Sequence, residues 1–316
     1  MSHGLFLTCL GFVYFLSSFE LINRIALLYG DNLRHKYKLS WGHVLDISNK
    51  LVSLVQAILS CIAGAIVCLW SCRRDVAATS HFMSQAYAWF GAAYFFYDIW
   101  SMYKVTSITV VHIQMAMEQH NERHAMAGTR ADEYKVPTFM NYCRHEPLIL
   151  MHHLFIGGFG FAVIVYLRGG LGDCVFGFVY LMELSTPFVS LRGILSMKST
   201  AAYVYNGILM LVTFLLCRIL SLPYVMHLYR IKFDSLAIGQ ITAIYSLPRG
   251  CKVSICILLV PQIYWFYLMS AGAIKVQYSH ICYKRYTLWT HSSLKLLIFN
   301  FLNFIYQLAV PAVSPA

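Results

Sequence analysis

Apolar runs long enough to cross a bilayer follow one another along most of the chain. They cover residues 4–29, 51–71, 85–103, 148–167, 174–195, 202–226 and 253–274, with a further candidate at 296–310. A hydrocarbon layer of about 30 Å needs about 20 helical residues, so each of the first seven predicts one crossing. The last carries Asn300, Asn303 and Gln307 and either crosses or lies on the membrane surface. Backbone polar groups find no partners in lipid, which leaves only helices and closed barrels. The runs are continuous rather than alternating, and that excludes a barrel. Composition agrees, with 59% hydrophobic and only 12% charged residues. The expected fold is all-α, a polytopic transmembrane helical bundle.

The net charge of +11 does not point to nucleic acid, because Lys and Arg are dispersed among the connections rather than gathered in a stripe. Fifteen of them, including Arg34, Lys36, Lys104, Arg192 and Lys275, fall in connections on one side. Seven, including Arg73, Arg74, Arg168 and Arg249, fall on the other. The positive-inside bias puts the richer side in the cytosol and the N-terminus in the lumen or exterior. The first run lacks a basic leader segment and reads as a retained span or signal anchor, with Glu20 and Arg24 paired at i and i+4. The ten cysteines show no Cys-x-x-Cys spacing and are expected to act as small buried hydrophobes. The connection 104–146 reads as a solvated cytosolic loop, helical in part over 115–126. The apolar piece 236–247 is about half a span, which suits an interfacial or re-entrant segment.

Ionisable groups inside apolar spans are costly, so they are usually paired, cavity-lining or functional. His152, His153, Glu183, Asp98 and Arg218 are the candidates here. At about 1.5 Å of rise per residue, His152, His153, Asp98 and Asn206 come to a similar depth below the cytosolic face. Glu183 and Arg218 come to a second, deeper layer and should pair, with Gln262 also near the middle of the membrane. An imidazole can serve as general base or nucleophile, and a carboxylate on its other nitrogen fixes its orientation. His152 or His153 is therefore the expected base and Asp98 the orienting carboxylate, with Asn206, Tyr94, Tyr97 or Tyr103 as oxyanion donors. A purely architectural role, hydrogen-bonding helices together, is the competing expectation. Adjacent histidines point about 100° apart on a helix, and no third ligand accompanies them, so a metal is not indicated. Pro187, Pro223 and Pro261 are expected to kink their helices.

Several motifs carry a family likeness: YFFYDIWSMY at 94–103, RGGLGD at 168–173, ELSTPFVSL at 183–191, NGILMLVTFLLCRIL at 206–220 followed by LPY, and VPQIYWFYL at 260–268. In this order they resemble the TLC domain of ceramide synthases and their relatives, most nearly the ceramide synthase-like TLC domain-containing branch. The resemblance covers about 51–274, leaving 1–50 as a first helix with a basic connection and 275–316 as a tail. It implies a six-helix ring around a lipid tunnel, with the first helix outside it. In ceramide synthases the motif opens on two adjacent histidines, which match His152 and His153. A histidine–aspartate pair then falls on Val179 and Tyr180, and a final aspartate on Glu183.

The implied function is sphingolipid metabolism in the endoplasmic reticulum membrane, by N-acyl transfer from fatty acyl-CoA, the co-substrate, to a sphingoid base. Glu183, Asn206, Arg218, Tyr97 and Tyr103 would support binding, and no bound cofactor is required. The alternative is a non-catalytic lipid-binding or lipid-homeostasis protein, acting on membrane lipids directly or through contact with ceramide synthases. The Golgi and the plasma membrane are alternative locations.

Overall fold

The structure, a computed structural model, describes residues 2–37, 39–76, 78–124, 137–195, 200–232 and 249–281. Among the described residues all regular structure is helical. In chain order the helices are α1 (Ser2–Tyr29), α2 (Asp31–Tyr37), α3 (Trp41–Ser71), α4 (Phe82–His124), α5 (Phe139–His145), α6 (Pro147–Leu154), α7 (Asp173–Leu181), α8 (Thr186–Leu195), α9 (Thr200–Phe214), α10 (Ser221–Lys232) and α11 (Arg249–Ile281). Wide π-helical turns prolong α6 to Leu167 and join α9 to α10, and a tight turn at Met182–Ser185 joins α7 to α8.

Six of the resulting segments are long and apolar enough to cross a membrane: Ser2–Tyr29, Trp41–Ser71, Pro147–Leu167, Asp173–Leu195, Ala201–Leu228 and Lys252–Ala273. Helix α4 runs beside α1 and α3 in the same bundle and is more polar, with Asp98 and Ser101 buried. The chain is a multi-pass membrane protein. Large apolar side chains such as Leu5, Val13, Ile62, Leu69 and Val212 face outward, as a lipid solvent requires.

Two expectations are corrected. The connection 104–146 is not a loop for its first half, since α4 continues to His124. No Gly or Pro occurs between Gly91 and Gly128 to stop it. The cysteines are not all simple hydrophobes, because Cys72 and Cys174 form a disulfide across 102 residues of sequence. The segments 236–247 and 296–310 lie outside the described residues.

Close approach of backbones sets the bundle's geometry. A Cβ on Gly64 would meet the Gly177 carbonyl at 2.7 Å, so α3 and α7 cross nearly in backbone contact. Ser60 Oγ adds a bond to the Tyr180 carbonyl at 3.1 Å. Phe15 and Phe19 of α1 are fully covered by Tyr94 and Tyr97 of α4 and Val52 of α3. Beyond α3, the disulfide meets the RGGLGD turn. Gly169, Gly170 and Gly172 take positive φ there, which reverses the chain and returns Asp173 to Arg168. Asp173 is fully buried, also accepts from the His81 backbone N–H, and fixes that end of the bundle.

Candidate functional site

Pro147 opens α6, where its missing N–H has no helical partner to lose. The next turn presents His152 and His153 in directions about 100° apart. That angle gives them different partners, although their rings still meet edge to face at 5.8 Å.

His153 enters the contact between α3, α4 and α6. Its Nε2 lies 2.9 Å from Asp98 Oδ2, and its Nδ1 lies 2.8 Å from the Ile149 carbonyl oxygen. A carbonyl oxygen can only accept, so Nδ1 carries a hydrogen. Asp98 Oδ1 accepts from Asn49 Nδ2 at 2.9 Å. Asn49 Oδ1 accepts in turn from Tyr97 Oη at 3.0 Å and Ser101 Oγ at 2.7 Å. All five residues are at least nine-tenths buried. Both nitrogens of His153 are thus occupied, and the cluster ties three helices together. Tyr142 of α5 is buried beside Tyr103 of α4. Burial, reinforced by the nearby Asp98 charge, pushes its hydroxyl up to about 12, so it stays neutral.

His152 turns instead to a cavity of about 140 Å³. Its ring packs edge-on against Trp265 at 4.9 Å and makes no hydrogen bond among the described residues. Six helical segments contribute to the wall, and α1 contributes none. Phe95, Ile156, Phe159, Ile164, Phe176 and Val179 make most of it apolar. The polar exceptions include His152, Gln56, Glu183, Arg218 and Gln262.

Arg218 organises one side. Its Nη2 lies 3.4 Å from Glu183 Oε2 and donates to Thr186 Oγ1 at 2.8 Å. Nε donates to Ser185 Oγ at 2.7 Å and Nη1 to Gln262 Oε1 at 3.2 Å. Thr186 Oγ1 passes its own hydrogen to Glu183 Oε2 at 2.5 Å. The guanidinium also sits over the Phe214 ring, 5.2 Å from its centroid. A charge this deeply buried, with four side-chain partners, is held in one orientation.

Prolines aim these groups. Pro187 has no N–H for the Glu183 carbonyl, and the chain tightens at Met182–Ser185, carrying Glu183. Pro223 likewise has no N–H to offer the Ile219 carbonyl, just beyond the π-turn Leu215–Leu220 that carries Arg218. Pro261 lies inside α11 immediately before Gln262.

The two expected layers therefore rearrange. Glu183 and Arg218 do meet, and His153 does meet Asp98. His152 leaves that group and joins Glu183, Arg218 and Gln262 around the cavity. Asn206 joins neither, because it faces α8 and donates to the Phe188 carbonyl at 2.8 Å. Tyr103 faces α5 and donates to the Pro137 carbonyl at 3.1 Å. Tyr97 and Tyr94 pack in the core between α1, α3 and α4, outside the cavity lining. Asn49, Gln56, Ser185, Thr186 and Trp265 were missed. A signal existed for α3: Asn49, Ser53, Gln56 and Ser60 repeat at helical spacing inside an apolar run and are all buried.

The sequence model of the TLC domain matches residues 46–271, a stretch that contains the whole cavity wall. No solved structure matches the chain.

Proposed function

The chain belongs to the TLC-domain family, and on that premise we propose that it is a lipid-handling protein of the endoplasmic reticulum membrane that N-acylates a sphingoid base. His152 carries this reading. It is the histidine whose ring borders an apolar cavity without a hydrogen bond to any described residue. In the reaction, the amine nitrogen attacks the carbonyl carbon of a fatty acyl-CoA thioester while His152 accepts an amine proton. The carbon–sulfur bond breaks, the proton passes to the leaving thiolate, and the products are an amide and free coenzyme A. Arg218 and the Gln262 amide supply fixed positive charge and donors beside the developing oxyanion. His153, held by Asp98, anchors the α6 turn from which His152 projects. The cavity is about the size that admits a benzene-sized molecule, so long chains must extend beyond it between helices. The Cys72–Cys174 disulfide supports residence in the secretory pathway, with that end of the bundle away from the reducing cytosol.

The test is amide formation by the purified full-length protein given acyl-CoA and sphinganine. His152→Ala is expected to lose about a hundredfold or more of the rate with little change in melting temperature. Equal product from wild type and His152→Ala would sink the assignment. A second reading, lipid binding without turnover, draws on Val179 and Tyr180. The first is an apolar wall residue, and the second is fixed by a 2.7 Å bond from its hydroxyl to the Ser84 carbonyl. Under that reading the wild type binds the long-chain base and forms no amide.

A further inference from the structure

Gln56 lies on the cavity wall and is 2% exposed. Its Nε2 donates to Tyr87 Oη at 3.1 Å, and that hydroxyl donates to the Gln56 backbone carbonyl at 3.4 Å. Its Oε1 has no hydrogen-bond partner. A buried acceptor left without a donor costs about 1–3 kcal/mol, and a lipid-filled surrounding offers nothing in compensation. Exchanging the amide's oxygen and nitrogen does not remove the defect. Tyr87 has one hydroxyl to offer, so an unpartnered N–H₂ would replace the unpartnered oxygen. Across the cavity, Gln262 is 1% exposed and spends its oxygen on Arg218. Among the described residues its Nε2 has no hydrogen-bond partner.

The missing partner must suit an amide in either orientation, which calls for a group that both donates and accepts. A hydroxyl does so without bringing a second cation next to Arg218. We propose that Gln56 is the residue that recognises a hydroxyl of the bound lipid, with Gln262 Nε2 as an accompanying donor. The site would therefore select a long-chain amino alcohol over a plain alkyl amine. The inference rests on the reading above, in which a long-chain base occupies the cavity, and adds the feature that selects it.

The test is equilibrium binding to the full-length protein in detergent, followed by tryptophan fluorescence, with no acyl-CoA present. The probes are sphinganine and the straight-chain amine of the same carbon number. Wild type is expected to bind sphinganine about tenfold more tightly. Gln56→Leu should bring the two affinities together, partly by improving the plain amine, because no unpaired amide remains. Equal affinities in the wild type overturn the proposal even if Gln56→Leu fails to fold, and mean that a resident water satisfies Gln56. A ratio preserved in Gln56→Leu overturns it as well. Should neither lipid bind, the occupancy of the cavity falls with it. Should both bind equally, the hydroxyl assignment falls alone.

Discussion

His152 and His153 are neighbours in sequence, and a single residue's rotation about the helix gives them different tasks. One is spent on Asp98 and the Ile149 carbonyl, and the other borders a cavity. The same logic governs Arg218, whose partners Glu183, Ser185, Thr186 and Gln262 leave no nitrogen idle. Removing the guanidinium alone strands the Glu183 carboxylate in a low-dielectric interior, whereas removing both charges does not. Arg218→Met is expected to lower stability by about 3 kcal/mol, and Arg218→Met with Glu183→Gln to recover most of that loss in detergent unfolding. A double variant no better than the single one would refute the pairing. The charged members of the site were legible because an ionisable residue in an apolar run is conspicuous. Asn206 misled because rise per residue gives depth but not azimuth, and its side chain turns to α8. Gln56 escaped notice, although its place in the α3 polar stripe was there to read.

At the scale of the element, irregular turns do the aiming. Glu183 lies in the tight turn forced by Pro187, and Arg218 lies in a π-turn ahead of Pro223. Pro187→Ala is expected to lower amide formation several-fold, as the regularised helix swings Glu183 away from Arg218. Turnover at the wild-type rate in this variant would show that the turn has no part in the site. The existence of the crossing helices was plain from their apolar length. The turn types were not, because they follow from which carbonyls lose partners to proline and from glycine packing such as Gly157 against Phe95.

At the scale of the molecule, a ring of helices is closed at one end by a covalent and ionic clasp. Cys72–Cys174 joins α3 to α7, and Asp173 beside it binds Arg168 and His81. The sequence held no local sign of this pairing, because its two cysteines are far apart along the chain and meet only when α3 and α7 cross at Gly64 and Gly177. Cys72→Ser with Cys174→Ser should abolish the mobility shift between reduced and unreduced protein on denaturing gels. It should also lower thermal stability, since a cross-link closing a loop of about 100 residues restricts the unfolded chain by up to about 4.7 kcal/mol. Unchanged mobility and stability would mean that the cysteines are not joined. The central claim is that a lipid chain enters the ring and lies against its inner wall. Photo-crosslinking with a long-chain amine bearing a diazirine in its tail, mapped by peptide mass spectrometry, tests that claim most directly. The account predicts adducts on inward residues such as Phe95, Ile156 and Val179, reduced by excess unlabelled sphinganine. Adducts confined to outward residues such as Leu5, Val13, Ile62 and Val212, with no competition, would contradict it.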